Sequence, residues 1–242
     1  MSMFRALMMA GGGGPGYVPG MLMHLDGIDN VGSGSFDTAA TTWKDLTGNG
    51  FDVVPMNPAR APLWSENGGL LGDGSHRILK VADGLSPLTG CTEFTIELAY
   101  YFPGAGSAWW LNNREPWNTS DTTGFQIYTW NSTGINVACM SGPGAPQWII
   151  PVSSAASHHT IAFTYANGTA TVYADGLIAG AEAVRMTQEQ IENTPFYVNG
   201  VGGGGYSMSE GLRILGVRVY PRALGSGELA VNAAIDRQRY FN

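Results

Sequence analysis

The stretch that most constrains this chain runs from Ser157 to Val184, SHHTIAFTYANGTATVYADGLIAGAEAV. Its dipeptides Asn167-Gly168 and Asp175-Gly176 tolerate positive φ, the backbone that two-residue hairpin turns require. They divide the stretch into three antiparallel strands. With Asn167 and Gly168 as the loop residues, Phe163 faces Val172, Tyr165 faces Ala170 and Ile161 faces Ala174, while Thr164 faces Thr171 on the other side. The second turn is expected to set Ala179 beside Val172 and Ala181 beside Ala170. One apolar face then crosses all three strands unbroken, as a sheet buried on one side needs.

The 242 residues suffice for one large all-β domain. Glycine supplies 35 of them and charged residues only 13 %, which suits many short strands joined by tight turns and argues against a helical bundle or a coiled coil. A formal charge of −7 leaves no basic footprint for nucleic acid or an anionic membrane. Cys91 and Cys139 show no Cys-x-x-Cys spacing and read as two buried thiols rather than a disulfide. The apolar run in Met1–Ala10 is too short for a membrane span and lacks a signal-peptide cleavage site.

Residues 1–20 end in GGGGPGYVPG, where Gly and Pro prevent regular structure and leave a flexible connection, and are read as an N-terminal leader, a linker or an assembly segment. Residues 21–242 are read as one domain. Strands are expected at Met21–Asp26, within Trp43–Val54, at Leu70–Leu71, at Ile78–Ala82 and at Glu93–Phe102, the last with Phe94, Ile96, Leu98 and Tyr100 toward the core. Trp109–Leu111, Gly124–Trp130, Ile135–Met140 and Trp148–Val152 are further strands, and Leu212–Tyr220 alternates again. One helical turn is expected at Gln188–Glu192. Pro221 stops the last strand, and Ser226 caps a short C-terminal helix with Glu228 in its first turn. Strand after strand with one terminal helix predicts an all-β fold, a two-sheet antiparallel β-sandwich.

Four segments in order, WKDLTGNGFD (Trp43–Asp52), EFTIELAYYF (Glu93–Phe102), the hairpin stretch above and VRVYPRALGSGEL (Val217–Leu229), resemble the laminin-G-like jelly-roll domains of the concanavalin A-like lectin and glucanase superfamily. That resemblance implies a jelly roll of an extracellular, cell-surface or virion-associated kind, and many such domains bind glycans. The Gly-rich leader is similar to those of bacterial and phage tail or surface proteins.

Glycoside hydrolases of the superfamily carry a Glu-x-Asp-x-x-Glu pattern on one strand, which retaining chemistry uses to hold two carboxylates about 5–5.5 Å apart. Here only Glu93 and Glu97 occur, with Thr95 between them, and they read as solvated edge carboxylates on the face away from the core. No Gly-x-Ser-x-Gly, Walker or His-Glu-x-x-His motif is present, so no hydrolase activity is expected. His158 and His159 are adjacent, point to opposite faces of a strand and cannot chelate one ion; the resemblance implies packing or hydrogen bonding for a histidine there.

Asp26, Asp29 and Asn30, with Asp45 or Asp73, are the candidate metal set, since Ca²⁺ takes oxygen ligands and related jelly rolls often carry it. These are also ordinary turn residues, and no EF-hand spacing accompanies them. The candidate ligand site is SAWWLNNREPWNTSD (Ser107–Asp121). Trp109 or Trp110, with Trp117, Asn112, Asn113 and Arg114, offers flat rings and polar donors suited to stacking a pyranose and meeting its hydroxyls, and Trp130 and Trp148 add to it. The sequence reading is therefore a non-catalytic glycan-binding module. The competing reading is an assembly module whose partner is a protein or a second copy, and a weaker third is an unrecognised glycosidase.

Overall fold

The computed structural model describes residues 16–84, 86–113, 123–129, 135–141, 147–150, 157–184, 186, 195–202 and 207–241. Two seven-stranded antiparallel sheets pack face to face. The first joins β1 (Met23–Asp26), β14 (Arg213–Tyr220), β5 (Phe94–Phe102), β10 (Ser157–Ala166), β11 (Thr169–Ala174) and β12 (Leu177–Ala183) in that order, with β3 (Leu70–Leu71) also paired to β14. The second runs β2 (Val53–Pro55), β4 (Leu79–Val81), β13 (Tyr197–Val198), β6 (Ala108–Asn112), β7 (Thr123–Thr129), β8 (Ile135–Ser141) and β9 (Gln147–Ile150). Between the sheets lie Phe94, Ile96, Leu98 and Tyr100 of β5, Ile161 and Phe163 of β10, Phe125 and Ile127 of β7, Val217 and Val219 of β14, and Trp43. This is the β-sandwich that the alternation predicts, and the set of β5 residues assigned to the core is found there.

The first hairpin has the predicted register, with Ile161 opposite Ala174, Phe163 opposite Val172 and Tyr165 opposite Ala170. Asn167 and Gly168 take φ of 50° and 74°, as a two-residue turn demands. The second hairpin departs from expectation. It opens in register, Ala174 opposite Leu177 and Tyr173 opposite Ile178, then shifts, so that Val172 faces Gly180 and Thr171 faces Ala181. One extra residue on β12 is a β-bulge. The common apolar face therefore ends at β11: β12 lies at the sheet edge and is exposed over almost its whole length, so no buried face holds its register.

The helix α1 (Ser226–Tyr240) lies over the outer face of the first sheet, burying Leu229, Asn232, Ala233, Asp236 and Tyr240. Its N-cap is Gly225 rather than Ser226, and Glu228 closes the end by accepting the Gly225 N–H at 3.0 Å. Close seating requires Gly216 on β14, where a Cβ would fall 2.9 Å from the Tyr240 hydroxyl. The leader also contributes. Tyr17 and Val18 are buried, because the Tyr17 hydroxyl donates to Asp236 Oδ1 at 2.8 Å and the Val18 N–H donates to Asn232 Oδ1 at 2.9 Å. The expected helical turn at Gln188–Glu192 lies outside the described residues.

Candidate functional site

The outer face of the second sheet carries an unusual set of side chains. On β7, Phe125 and Ile127 face the core while Gln126 and Tyr128 face outward; on β8, Ile135 and Val137 face the core and Asn136 faces outward. The β6 strand is bulged between Trp109 and Leu111, which sends Trp110 and Leu111 both into the core and leaves Trp109 and Asn112 outside. Pairing then sets two rows across the sheet. One runs Lys80, Tyr197, Asn112, Gln126, and the other runs Trp109, Tyr128, Asn136. Trp109 stacks on Tyr128 with centroids 5.7 Å apart and planes 16° from parallel. Tyr197, Trp109, Asn112, Gln126 and Asn136 are buried, whereas Tyr128 is only half-buried.

This arrangement sorts the predicted ligand residues. Trp110 is a core side chain whose Nε1–H donates to Thr129 Oγ1 at 2.9 Å. Asn113 is buried and its Oδ1 accepts the Phe125 N–H at 2.7 Å, anchoring the strand end. Neither presents a platform to solvent. Trp109 and Asn112 do lie on one outward face, although Asn112 Nδ2 already donates to Gly200 O. Arg114, Trp117 and Trp130 lie outside the described residues, as does the side chain of Trp148. Sequence reasoning missed Gln126, Tyr128, Asn136 and Tyr197. Strand alternation in Gly124–Trp130 and Ile135–Met140 could have found the first three; β13 is two residues long and shows no period.

On the outer face of the first sheet, the reading of Glu97 as a solvated carboxylate is corrected. Glu93 is half-buried, but Glu97 is fully enclosed beneath α1, and its Oε2 accepts from Arg218 Nε at 2.9 Å and from Asn232 Nδ2 at 2.7 Å. Asp236 takes the two terminal Arg218 nitrogens at 2.7 and 2.6 Å, and the Tyr17 ring lies 4.3 Å from the same guanidinium. Burial pushes the Glu97 carboxyl up. This cluster clamps the helix and the leader to the sheet and has no route to solvent.

The candidate metal residues are committed elsewhere. Asp26 is fully buried and paired with Arg239, and its Oδ1 accepts the Ile28 N–H at 2.9 Å. Asp29 Oδ1 accepts from the N–H groups of Ser33 and Gly34. Asn30 exchanges two hydrogen bonds with the Asp37 backbone. Asp45 caps the His24 and Thr47 N–H groups, and Asp73 pairs with Arg77 at 2.6 Å. Among the described residues no cluster of three His, Cys, Asp or Glu side chains faces a common point, so the donor set does not fit a calcium cage. The two histidines do point apart. His158 stacks on Phe241 and packs near Tyr101, whereas His159 lies beside Tyr100. Cys91 is buried at the wall of an open cleft of about 320 Å³ that Phe51, Ser86, Pro87 and Pro221 also line.

Comparison with known proteins identifies the sandwich. A family model described as the concanavalin A-like lectin/glucanases superfamily matches residues 73–230. No curated protein is similar enough in sequence to match. Among solved structures, Trypanosoma rangeli sialidase in complex with the inhibitor DANA superposes with a TM-score of 0.66 at 14% identity, over 95% of this chain and 36% of the sialidase. The same sialidase with sialic acid gives 0.65 at 15%, over 97% and 37%. Botulinum neurotoxin type C, which interacts with two ganglioside molecules, gives 0.60 at 9%, over 90% and 51%. The chain thus spans little more than a third of the sialidase chains it matches. The expectation that the chain is not an enzyme is overturned by this likeness: the same sandwich occurs within sialidase chains, so neither the fold nor the missing Glu-x-Asp-x-x-Glu pattern excludes hydrolysis. Among the described residues no helix is long and apolar enough to cross a membrane.

Proposed function

The chain belongs to the concanavalin A-like lectin and glucanase superfamily, and from that premise we propose that it binds glycans on the outer face of its second sheet. The carrying observation is the pair of cross-strand rows, in which aromatic rings and carboxamides occupy positions pointing away from the core. A sheet face that receives a sugar needs flat rings beside polar groups. This one sets the Trp109–Tyr128 stack directly against Asn136, with Gln126 two residues from Tyr128 on the same face.

A pyranose has a flat C–H face and a ring of hydroxyls, and it needs both kinds of partner. Tyr128 is the ring of the set that reaches solvent, so it serves as the stacking surface. Trp109 fixes its ring plane from beside it, and the Asn136 and Gln126 amides on the same face make its surroundings polar. The sialic acid and ganglioside ligands of the similar structures make sialylated glycans the first candidates. Arg114, Trp117, Trp130 and Trp148 remain part of the proposed ligand set.

A glycan array that includes sialylated structures tests this reading. Wild-type protein is expected to retain a defined subset, and Tyr128→Ala is expected to weaken it by roughly tenfold or more, a loss of about 1.4 kcal/mol, while the protein stays folded by circular dichroism. An array on which the wild type binds nothing, or on which Tyr128→Ala binds as tightly as the wild type, overturns the proposal. A fluorogenic sialoside assayed in parallel reads cleavage.

A further inference from the structure

His159 lies at the centre of a constellation that uses neither the glycan face nor the buried ion cluster. On β10, Ser157 and His159 are two residues apart and so share one face of the strand. The Asp175-Gly176 turn between β11 and β12 returns Asp175 to the same end of that strand. There the Asp175 N–H donates to Thr160 O at 2.8 Å and Asp175 Oδ1 accepts the Thr160 N–H at 2.9 Å, which pins the carboxylate. Its other oxygen, Oδ2, lies 3.0 Å from His159 Nδ1, and His159 Nε2 lies 2.7 Å from Ser157 Oγ.

The protonation pattern follows from these contacts. Burial pushes the Asp175 carboxyl up, but the hydrogen bonds from His159 and Thr160 outweigh it and hold the group below its ordinary range. Asp175 is then an anionic acceptor, the His159 proton sits on Nδ1, and Nε2 presents its lone pair to the Ser157 hydroxyl. The Tyr100 ring, 5.6 Å away, backs the imidazole. The His159 and Asp175 side chains are 19% and 38% exposed, so this relay is open to solvent, unlike Glu97–Arg218–Asp236.

We propose that Ser157, His159 and Asp175 form a nucleophilic hydrolytic site that acts on esters. A serine hydroxyl is a weak nucleophile until a neighbouring base takes its proton, and that base works best when a third group orients it. Such a set is recognised by geometry and roles, whatever the chain order or motif. Ser157 Oγ bonds to the ester carbonyl carbon as its proton passes to His159 Nε2. The tetrahedral intermediate collapses by breaking the bond to the alkoxy oxygen, and the alcohol leaves with the proton from Nε2. Water then adds to the acyl-serine and gives its proton to Nε2. The acyl–Oγ bond breaks, the carboxylic acid departs, and Ser157 regains its proton. Ester and water are the only reactants. Ser157 and His159 are the catalytic residues, and Asp175 is the positioning residue. The site is independent of the carbohydrate face proposed above, since its three residues lie on β10 and the β11–β12 turn.

The full chain treated with a fluorophosphonate probe, digested and analysed by mass spectrometry, tests this directly, with p-nitrophenyl acetate as the turnover substrate. The expected result is an adduct on Ser157 that Ser157→Ala abolishes, and a labelling rate reduced about 100-fold or more in His159→Gln at unchanged Tm. Asp175→Asn is expected to slow labelling and to change the pH profile of the labelling rate, which a merely structural aspartate would leave in place. If His159→Gln fails to fold, Asp175→Asn reads the same relay. No adduct on Ser157, or equal labelling rates for wild type and the relay variants, overturns the proposal.

Discussion

Glu97 and Asp236 share one guanidinium, unequally. Asp236 takes both terminal nitrogens of Arg218 and Glu97 takes only Nε. Burial raises the Glu97 carboxyl, Arg218 opposes that, and the Asp236 charge adds to it. Its contribution to stability is therefore largest below its unfolded value of 4.5 and fades as pH rises. At pH 7 Glu97→Gln is expected to cost on the order of 1 kcal/mol, whereas Arg218→Met leaves two buried carboxylates without their cation and costs about 3–5 kcal/mol or more. Urea unfolding of the two variants measures the difference, and equal losses would contradict this division of roles. His24 titrates with the opposite sign. Burial, with the Arg218 charge next, lowers its imidazole to about 3 from 6.5, so the unfolded chain takes up a proton that the folded chain refuses. Its contribution is complete above pH 6.5 and is lost as pH falls toward 3, on the order of 5 kcal/mol in all. In His24→Phe the stability curve is expected to be flatter over that window; parallel curves for variant and wild type would remove His24 as the cause. None of this was legible from residue types, because Glu97 reads as solvated until something covers it.

Among the elements, the strands that face the core were readable and those that do not were misread. The Asn167-Gly168 hairpin has its predicted register because Phe163 and Val172 are both core side chains. In β12, Leu177 and Ile178 are 75% and 64% exposed, so nothing opposes the bulge that displaces Ala179 from its predicted partner. Trp109 and Trp110 do point to opposite faces as predicted, but the β6 bulge breaks the alternation one residue later, turning Trp110 and Leu111 together into the core. Gly and Pro around Tyr17–Val18 predict no regular structure, and tertiary contacts alone fix the segment: its two hydrogen bonds to α1 and the Tyr17 ring against Arg218 make it a strap across the helix. A chain that begins at Gly20 is expected to lose about 2 kcal/mol or more relative to one that begins at Gly16, since a hydrogen bond to a charged group and one to a buried amide disappear. Thermal unfolding of the two truncations checks this, and identical Tm values would show that the strap carries no load.

At the scale of the whole molecule, the chain is a sandwich with two differently used outer faces. The first sheet is sealed by α1 and the strap over an ion cluster, and the second carries rows of rings and amides. The relay of Ser157, His159 and Asp175 lies apart from both, at the β11–β12 end of the first sheet. By itself the sequence determined the fold class, the strands with a core face and the terminal helix, each of which follows from a period of two, a turn dipeptide or a stop signal, all properties of neighbours along the chain. The family was legible only as a resemblance of four ordered segments. Only the tertiary structure decided which outward residues were covered and which were brought together. Glu97 and Asp236 are 139 positions apart, Ser157 and Asp175 are separated by a hairpin, and the amide rows exist only once strand pairing sets β6, β7 and β8 side by side. Burial and convergence are set by what lies opposite, and no local pattern in the chain encodes that.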